Sequence, residues 1–335
     1  MKMLLFDFRE SEKEYFNNHD LPDFDIEFIK EPLNLMSNLS EKQLEETEVI
    51  SVFITSDVNS EVIKKFKNLR IITTRSTGYN HIDLKYCVKN NIAVFNVGEY
   101  GETSVAQYTF MLILALLRKL IPAYLGTQKD LVDHETYEGR NLENMTLGIL
   151  GCGAIGASVA KIAHFFGMKV YACSLTKNSE ISNFTNYCSI NELLINSDIV
   201  TLHLPFNAET YHIINDDTMK KMKKGAFIIN TARGELVDIV ALYNNLISGQ
   251  IGGAALDVIE CDKIAVNGSP IALESEYTSC HTKAFAVQKL LGMTNVIITP
   301  HIAYNTKESV DVLLNTTFNN IKDYSKGLHT NQLRL

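Results

Sequence analysis

Apolar and polar positions follow two rhythms along this chain. Short apolar-rich runs at 2–8, 49–54, 70–74 and 92–97 predict strands. Between them, 60–68 and 83–90 carry helical spacing. A second series starts near residue 146. It predicts strands at 146–150, 169–173, 199–203, 226–230, 253–258 and 296–299, with helices at 155–166, 191–196, 216–222 and 238–248. Strand–helix alternation of this kind implies parallel sheets with crossover helices. The two series are joined by residues 104–120, a helix apolar on nearly every face. It must therefore pack into a core or an interface, and the pattern leaves both open. Residues 261–290 are irregular and polar and read as a long loop with a short helix.

Length and composition narrow the picture. At roughly 150 residues per domain, 335 residues suggest two domains. Apolar residues make up 46% and charged residues 21%, enough to bury a normal core. The net charge of -8, with scattered basic residues, argues against nucleic acid as a partner but leaves room for a small anion in a local pocket. The start, MKMLLFDF, lacks the apolar stretch and cleavage site of a secretory signal. The apolar run 110–117 is too short to span a bilayer. Cysteines at 87, 152, 173, 188, 261 and 280 form no CxxC pair, so no zinc site or redox dithiol is expected. A cytoplasmic protein, acting neither on nucleic acid nor in a membrane, is expected.

The first chemical signal is Gly151-Cys152-Gly153-Ala154-Ile155-Gly156, between a predicted strand and a predicted helix. A lone GxGxxG says little, but this context is the one a dinucleotide site needs. Gly151 permits the tight turn, Gly153 lets the backbone approach a pyrophosphate, and Gly156 lets helix and strand pack closely. The N–H groups at Ala154 and Ile155 then face the phosphates.

Further downstream, Leu204-Pro205, Asn230-Thr231-Ala232-Arg233, Asp257 and His301 each follow a predicted strand. That edge of an open α/β sheet is where ligands bind. An arginine, an acid and a histidine gathered there suit the reduction of a keto acid. Arginine clamps a carboxylate in a bidentate fork. Histidine supplies a proton near neutral pH, and a carboxylate beside it favours the charged imidazole. Singly, each residue is more often a surface ion-pair or core residue; their joint placement after the glycine turn changes those odds. His203 also ends a strand and reads as structural or cofactor-flanking.

Together these residues resemble the D-isomer-specific 2-hydroxyacid dehydrogenase family, in its D-lactate dehydrogenase branch, over essentially the whole chain. The vancomycin-resistance D-lactate dehydrogenases look at least as similar. The resemblance implies two doubly wound parallel-sheet α/β domains with the cofactor in the cleft. One is a discontinuous flavodoxin-like substrate domain of residues 1–99 and 301–335; the other is a Rossmann dinucleotide-binding domain of 100–300. It implies a homodimer through helix 104–120. Arg233 would bind the substrate, His301 would donate the proton, and Asp257 would tune the site near the nicotinamide. Ser76, Thr77 and Gly78 would hold the substrate carboxylate, with Phe53, Tyr100 and Tyr304 as an apolar wall. Leu204, Pro205, Thr210, Thr231 and Ala232 would line the cofactor. No metal is implied.

Two positions depart from the family pattern. Where the family has the glutamate that pairs with the catalytic histidine, this chain has Asp262, with Glu260 as the alternative partner. Where the second strand ordinarily ends in an acid for the ribose hydroxyl, this chain has Ser174, with Thr176 and Lys177 just beyond. The cofactor is therefore NAD(H) or NADP(H), leaning to NADP(H). The substrate expected is a small 2-keto acid, pyruvate first, giving D-lactate. Alternatives are 2-ketoisocaproate, phenylpyruvate, glyoxylate or hydroxypyruvate and, from another class, a dinucleotide-sensing corepressor.

Overall fold

Strands β1 (Lys2–Leu5), β3 (Val49–Val52), β4 (Ile71–Thr74) and β5 (Ala93–Phe95) are buried along almost their whole length, as continuous apolar runs in a parallel sheet should be. With β2 (Asp25–Phe28) they form a five-stranded parallel sheet in the order β2-β1-β3-β4-β5. The computed structural model describes residues 1–19, 21–98, 100–129, 134–260 and 275–334, with the side chains of 275–281 excepted. Side chains alternate across the sheet. Leu4, Ile50, Ile72 and Val94 point into one core with Val62 and Ile63, whose helix Ser60–Ile63 is capped by Asn59. Met3, Leu5, Val49, Ile71 and Phe95 point into the other, closed by Leu314, Phe318 and Ile321 of the helix Lys307–Ser325. This unit comprises Met1–Tyr100 and Asn305–Leu335.

The second unit, Gly101–Tyr304, holds seven parallel strands: β6 (Thr146–Leu150), β7 (Lys169–Cys173), β8 (Thr185–Tyr187), β9 (Ile199–Leu202), β10 (Ala226–Asn230), β11 (Ile251–Leu256) and β12 (Val296–Ile298). Their order is β12-β11-β10-β9-β6-β7-β8. The chain builds outward from β6 through β7 and β8, then returns to place β9 on the other flank of β6. The switch point thus lies between β6 and β9, where a doubly wound sheet opens a crevice. In the first unit the same reversal lies between β1 and β3.

Several expectations need correction. Strands β2 and β8 escape the pattern because Asp-Ile-Glu-Phe and Thr-Asn-Tyr are short, largely polar edge strands. The helix expected over 104–120 is two helices, Glu102–Leu117 and Leu120–Thr127, bent by 60°. The reason is Pro122, which has no N–H to donate toward the carbonyl of Arg118. The backbone breaks at Lys119, whose φ is 50°. The first of the two helices buries Ala106, Phe110, Leu112, Ile113 and Leu116 in its own unit's core, while Leu120, Ile121, Tyr124 and Leu125 of the second are exposed. No single helix among the described residues is long and apolar enough to cross a membrane. Within 261–290, the short helix is instead the seventeen-residue Ser275–Leu291. Among its described side chains, 282–291, Ala286, Val287 and Leu290 are buried; the expected loop over 261–274 lies outside the described residues.

Candidate active site

The glycine turn follows β6 and is crowded everywhere except where a ligand must come in. Gly151 has a φ of 94°, and a Cβ there would lie 2.6 Å from the carbonyl oxygen of His203. A Cβ on Gly156 would lie 2.0 Å from the carbonyl oxygen of Gly151. A Cβ on Gly153 would meet nothing within 4 Å. Gly153 caps the helix Ala154–Phe165 without any side-chain cap, so the first-turn N–H groups face open space. The turn therefore fits a pyrophosphate at a helix N-terminus. Cys152 within it is buried, which pushes its thiol up to about 11, so it is no nucleophile at neutral pH. Gly153→Ala is expected to leave the melting temperature unchanged and to weaken dinucleotide binding about tenfold, ~1.4 kcal/mol. Titration of NADH fluorescence measures this, and an unaltered Kd would remove the turn from the site.

Ser174 follows β7, and its hydroxyl accepts from the Cys152 N–H at 3.2 Å, tying the second strand's end to the glycine turn. Lys177 carries its ammonium 5.7 Å from the centroid of the Tyr187 ring on β8. Past β9, Leu204 and Pro205 begin a loop that Thr210 ties to itself, donating to the Pro205 carbonyl at 2.7 Å and accepting from the Asn207 N–H at 2.9 Å. His203, which opens that loop, lies 3.0 Å through Nε2 from the Thr201 hydroxyl. Burial pushes its pKa down to about 3, so it is neutral at working pH and unsuited to donate a proton.

Arg233 follows β10. The buried amide of Asn230 shapes its turn, donating to the Arg233 carbonyl at 2.8 Å and accepting from the Ala232 N–H at 3.0 Å. Arg233 Nη1 donates to the Ala232 carbonyl at 2.6 Å, which fixes one edge of the guanidinium. Thr231 is buried, its hydroxyl 3.0 Å from that of Thr109.

Asp257, after β11, is 1% exposed and organises the segment after β12. Oδ1 accepts from the Thr299 hydroxyl at 2.6 Å and the Ile302 N–H at 3.0 Å; Oδ2 accepts from the Ala303 N–H at 2.8 Å. Its backbone carbonyl accepts from the His301 N–H at 2.9 Å. His301 sits at φ 55°, a left-handed conformation that these four bonds hold in place. The Tyr304 ring meets the His301 ring edge-on, with centroids 6.4 Å apart. Glu260 does not serve His301. Its carboxylate accepts from Lys283 at 2.9 Å and faces His212 at 3.0 Å. Asp262 lies outside the described residues.

In the first unit, Ser76, Thr77 and Gly78 follow β4. The Ser76 hydroxyl donates to the Gly78 carbonyl at 2.6 Å, and that of Thr77 reaches the Val97 and Gly98 carbonyls at 3.0 Å each. The loop is thereby rigid, with Thr77 itself exposed. Phe53 follows β3 and lies under the Arg9 guanidinium, 4.9 Å from the ring centroid. Tyr100 ends the unit, half-buried. Sequence reasoning missed Asp7, a buried acid at φ 54°. Its carboxylate accepts from the Phe53 N–H at 3.0 Å, the Ser56 hydroxyl at 2.7 Å and the Thr55 hydroxyl, and so shapes the Phe53 loop. A lone acid after the first strand was the available signal. Asn230, Thr299, His212 and Lys283 were missed too, because their roles depend on partners distant in sequence.

Residues 110–303 match the model of the D-isomer specific 2-hydroxyacid dehydrogenase NAD binding domain. A D-specific alpha-keto acid dehydrogenase of Enterococcus faecium is 39% identical over 282 residues, covering 83% of each chain. A D-lactate dehydrogenase of Curvularia clavata is 31% identical over 98% of this chain and 94% of its own. The structure of the Aquifex aeolicus D-lactate dehydrogenase complexed with NAD and lactic acid superimposes with a TM-score of 0.84 at 33% identity, covering 97% of this chain and 96% of that one. With a glycine turn open at Gly153 and an Asp257–His301 pair beside Arg233's strand, the chain belongs to the D-isomer-specific 2-hydroxyacid dehydrogenase family, in its D-lactate dehydrogenase branch, and is an oxidoreductase that uses a nicotinamide cofactor.

Proposed function

We propose that the protein reduces a small 2-keto acid, pyruvate first, to the D-2-hydroxy acid, and catalyses the reverse reaction. The observation that carries this reading is the placement of Arg233, Asp257 and His301 after adjacent strands β10, β11 and β12, with the glycine turn on the same edge of the sheet. When bound along Gly151–Gly156, the dinucleotide supplies a hydride to the carbonyl carbon. Arg233 pairs in a fork with the substrate carboxylate. In the first unit, the turn of Thr77 and Gly78 offers backbone N–H groups of the kind that bind a carboxylate. His301 gives its proton to the carbonyl oxygen as that oxygen gains charge. Asp257 holds the backbone that aims His301.

The phosphorylated dinucleotide is proposed as an accepted cofactor because Ser174 is neutral. An acid there would repel a 2′-phosphate; the serine hydroxyl, although it accepts from Cys152, keeps its own proton to donate. The Lys177 ammonium, close by in sequence, lies over the Tyr187 ring.

One experiment tests both parts. Steady-state rates are measured with pyruvate, glyoxylate, hydroxypyruvate, 2-ketoisocaproate and phenylpyruvate, each with NADH and with NADPH. Pyruvate should give the highest kcat/KM, and Ser174→Asp should depress NADPH turnover selectively. Dinucleotide binding without turnover of any keto acid would refute the enzyme reading. A tenfold preference for NADH, ~1.4 kcal/mol, would refute the cofactor reading.

A further inference from the structure

Three segments of the second unit meet at one carboxylate. Glu260 is 4% exposed and lies three residues after Asp257. Its Oε1 accepts from Lys283 Nζ at 2.9 Å, from the helix Ser275–Leu291. Its Oε2 lies 3.0 Å from His212 Nε2, with the atoms not aligned for a hydrogen bond. The Lys283 ammonium is opposed by its burial, but the bond and charge of Glu260, with Tyr211 beyond, outweigh that and raise its pKa. Lys283 is thus charged at working pH, and the buried acid has a permanent counter-ion. His212 is held from three directions. Its ring stacks on Tyr211 at 3.9 Å, its Nδ1 lies 3.9 Å from Asp238, and its backbone N–H donates to the Glu235 carbonyl at 2.9 Å.

This cluster presses on the turn that carries Arg233. A Cβ on Gly234 would lie 2.2 Å from the Ile259 carbonyl carbon and 2.5 Å from the Glu260 N–H nitrogen, so backbone meets backbone there. On the opposite side, His212 and Ile214 bond to the carbonyls of Glu235 and Leu236. The residues just after Arg233 are therefore gripped between the Glu260 backbone and the His212 loop, and the ion pair with Lys283 fixes both relative to a helix. A residue just before Arg233, Asn230, holds its other side.

We infer that Glu260, held between Lys283 and His212, is a positioning residue for Arg233, and that it sets the affinity for the keto-acid carboxylate through the Gly234–Leu236 turn. The inference rests on the reading that Arg233 binds that carboxylate. It does not give Glu260 any part in proton transfer. A displacement of the guanidinium of the order of an ångström is enough to cost ~10- to 100-fold in substrate use.

The test measures KM and kcat for pyruvate, NADH affinity by fluorescence and the melting temperature in Glu260→Gln, Lys283→Met and Lys283→Arg, with Arg233→Lys alongside. KM should rise about tenfold or more in Glu260→Gln and Lys283→Met, with a smaller fall in kcat and NADH affinity within twofold of the parent. Lys283→Arg, which keeps the charge, should restore most of the loss. Lys283 is partly exposed, so its variants stay informative if Glu260→Gln does not fold. KM within twofold of the parent in folded Glu260→Gln or Lys283→Met overturns the inference. So does a loss of NADH affinity parallel to the rise in KM, which marks general loosening of the unit. If Arg233→Lys itself leaves KM unchanged, the reading of Arg233 fails instead.

Discussion

Replacing His301 with asparagine is expected to lower kcat for keto-acid reduction by about 10²–10⁴-fold, the usual worth of a general acid. Asparagine is the cleaner substitution. Residue 301 sits at φ 55°, where asparagine is tolerated and alanine is strained. The fold should survive, because the bonds that hold this segment run from Asp257 to the backbone at 301–303 and to the Thr299 hydroxyl, and the imidazole is not one of their partners. KM for the keto acid should change little, since Arg233 is untouched. The other histidine at this edge, His203, cannot take over: burial holds it neutral, with its pKa near 3. The measurement is kcat across the pH range with the melting temperature as control. A folded variant within tenfold of the parent would show that the proton comes from elsewhere.

Arg233→Lys is expected to cost roughly 10- to 100-fold in kcat/KM, mostly through KM. Losing the charge-assisted fork is worth about 1.5–3 kcal/mol. Lysine keeps the charge but has one nitrogen where arginine has a planar fork. In this structure the fork is already divided, with Nη1 donating to the Ala232 carbonyl at 2.6 Å and the remaining N–H groups free to serve a substrate. A single ammonium must choose between that anchor and the ligand. NADH binding, which relies on the glycine turn, should be unaffected. Near-parental kcat/KM would remove Arg233 from the substrate site, and a parallel loss of NADH affinity would point to damage beyond it.

The double series of buried strands was readable because parallel strands covered on both faces leave apolar runs such as Met-Leu-Leu-Phe at 3–6 and Ile-Ala-Val-Phe at 92–95. The glycine turn was readable because backbone constraints act on adjacent residues. What failed were features set by distant contacts. The edge strands β2 and β8 form by pairing with β1 and β7, not by their own composition. The bend at Lys119 was missed because apolar residues resume at Leu120 and Ile121, although Arg118 and Lys119 interrupt the run and Pro122 follows. Glu260 looked like a reserve partner for His301 because it is close in sequence, yet its actual partners lie 23 residues ahead at Lys283 and 48 behind at His212. Asp257 was read as a neighbour of the cofactor; its role in holding the histidine segment depends on bonds to residues 42 to 46 positions away.

The first unit's core has a consequence for how the chain is made. One face of its sheet is covered by Leu314, Phe318 and Ile321, which leave the ribosome more than 200 residues after β5. At about 5–20 residues per second, the exposed face of Met3, Leu5, Val49 and Phe95 waits on the order of 10–40 s for its cover. The second unit, contiguous in sequence, can close its own core during that interval. The protein is therefore expected to fold from its middle outward, with the newborn amino-terminal sheet the segment in greatest need of a chaperone.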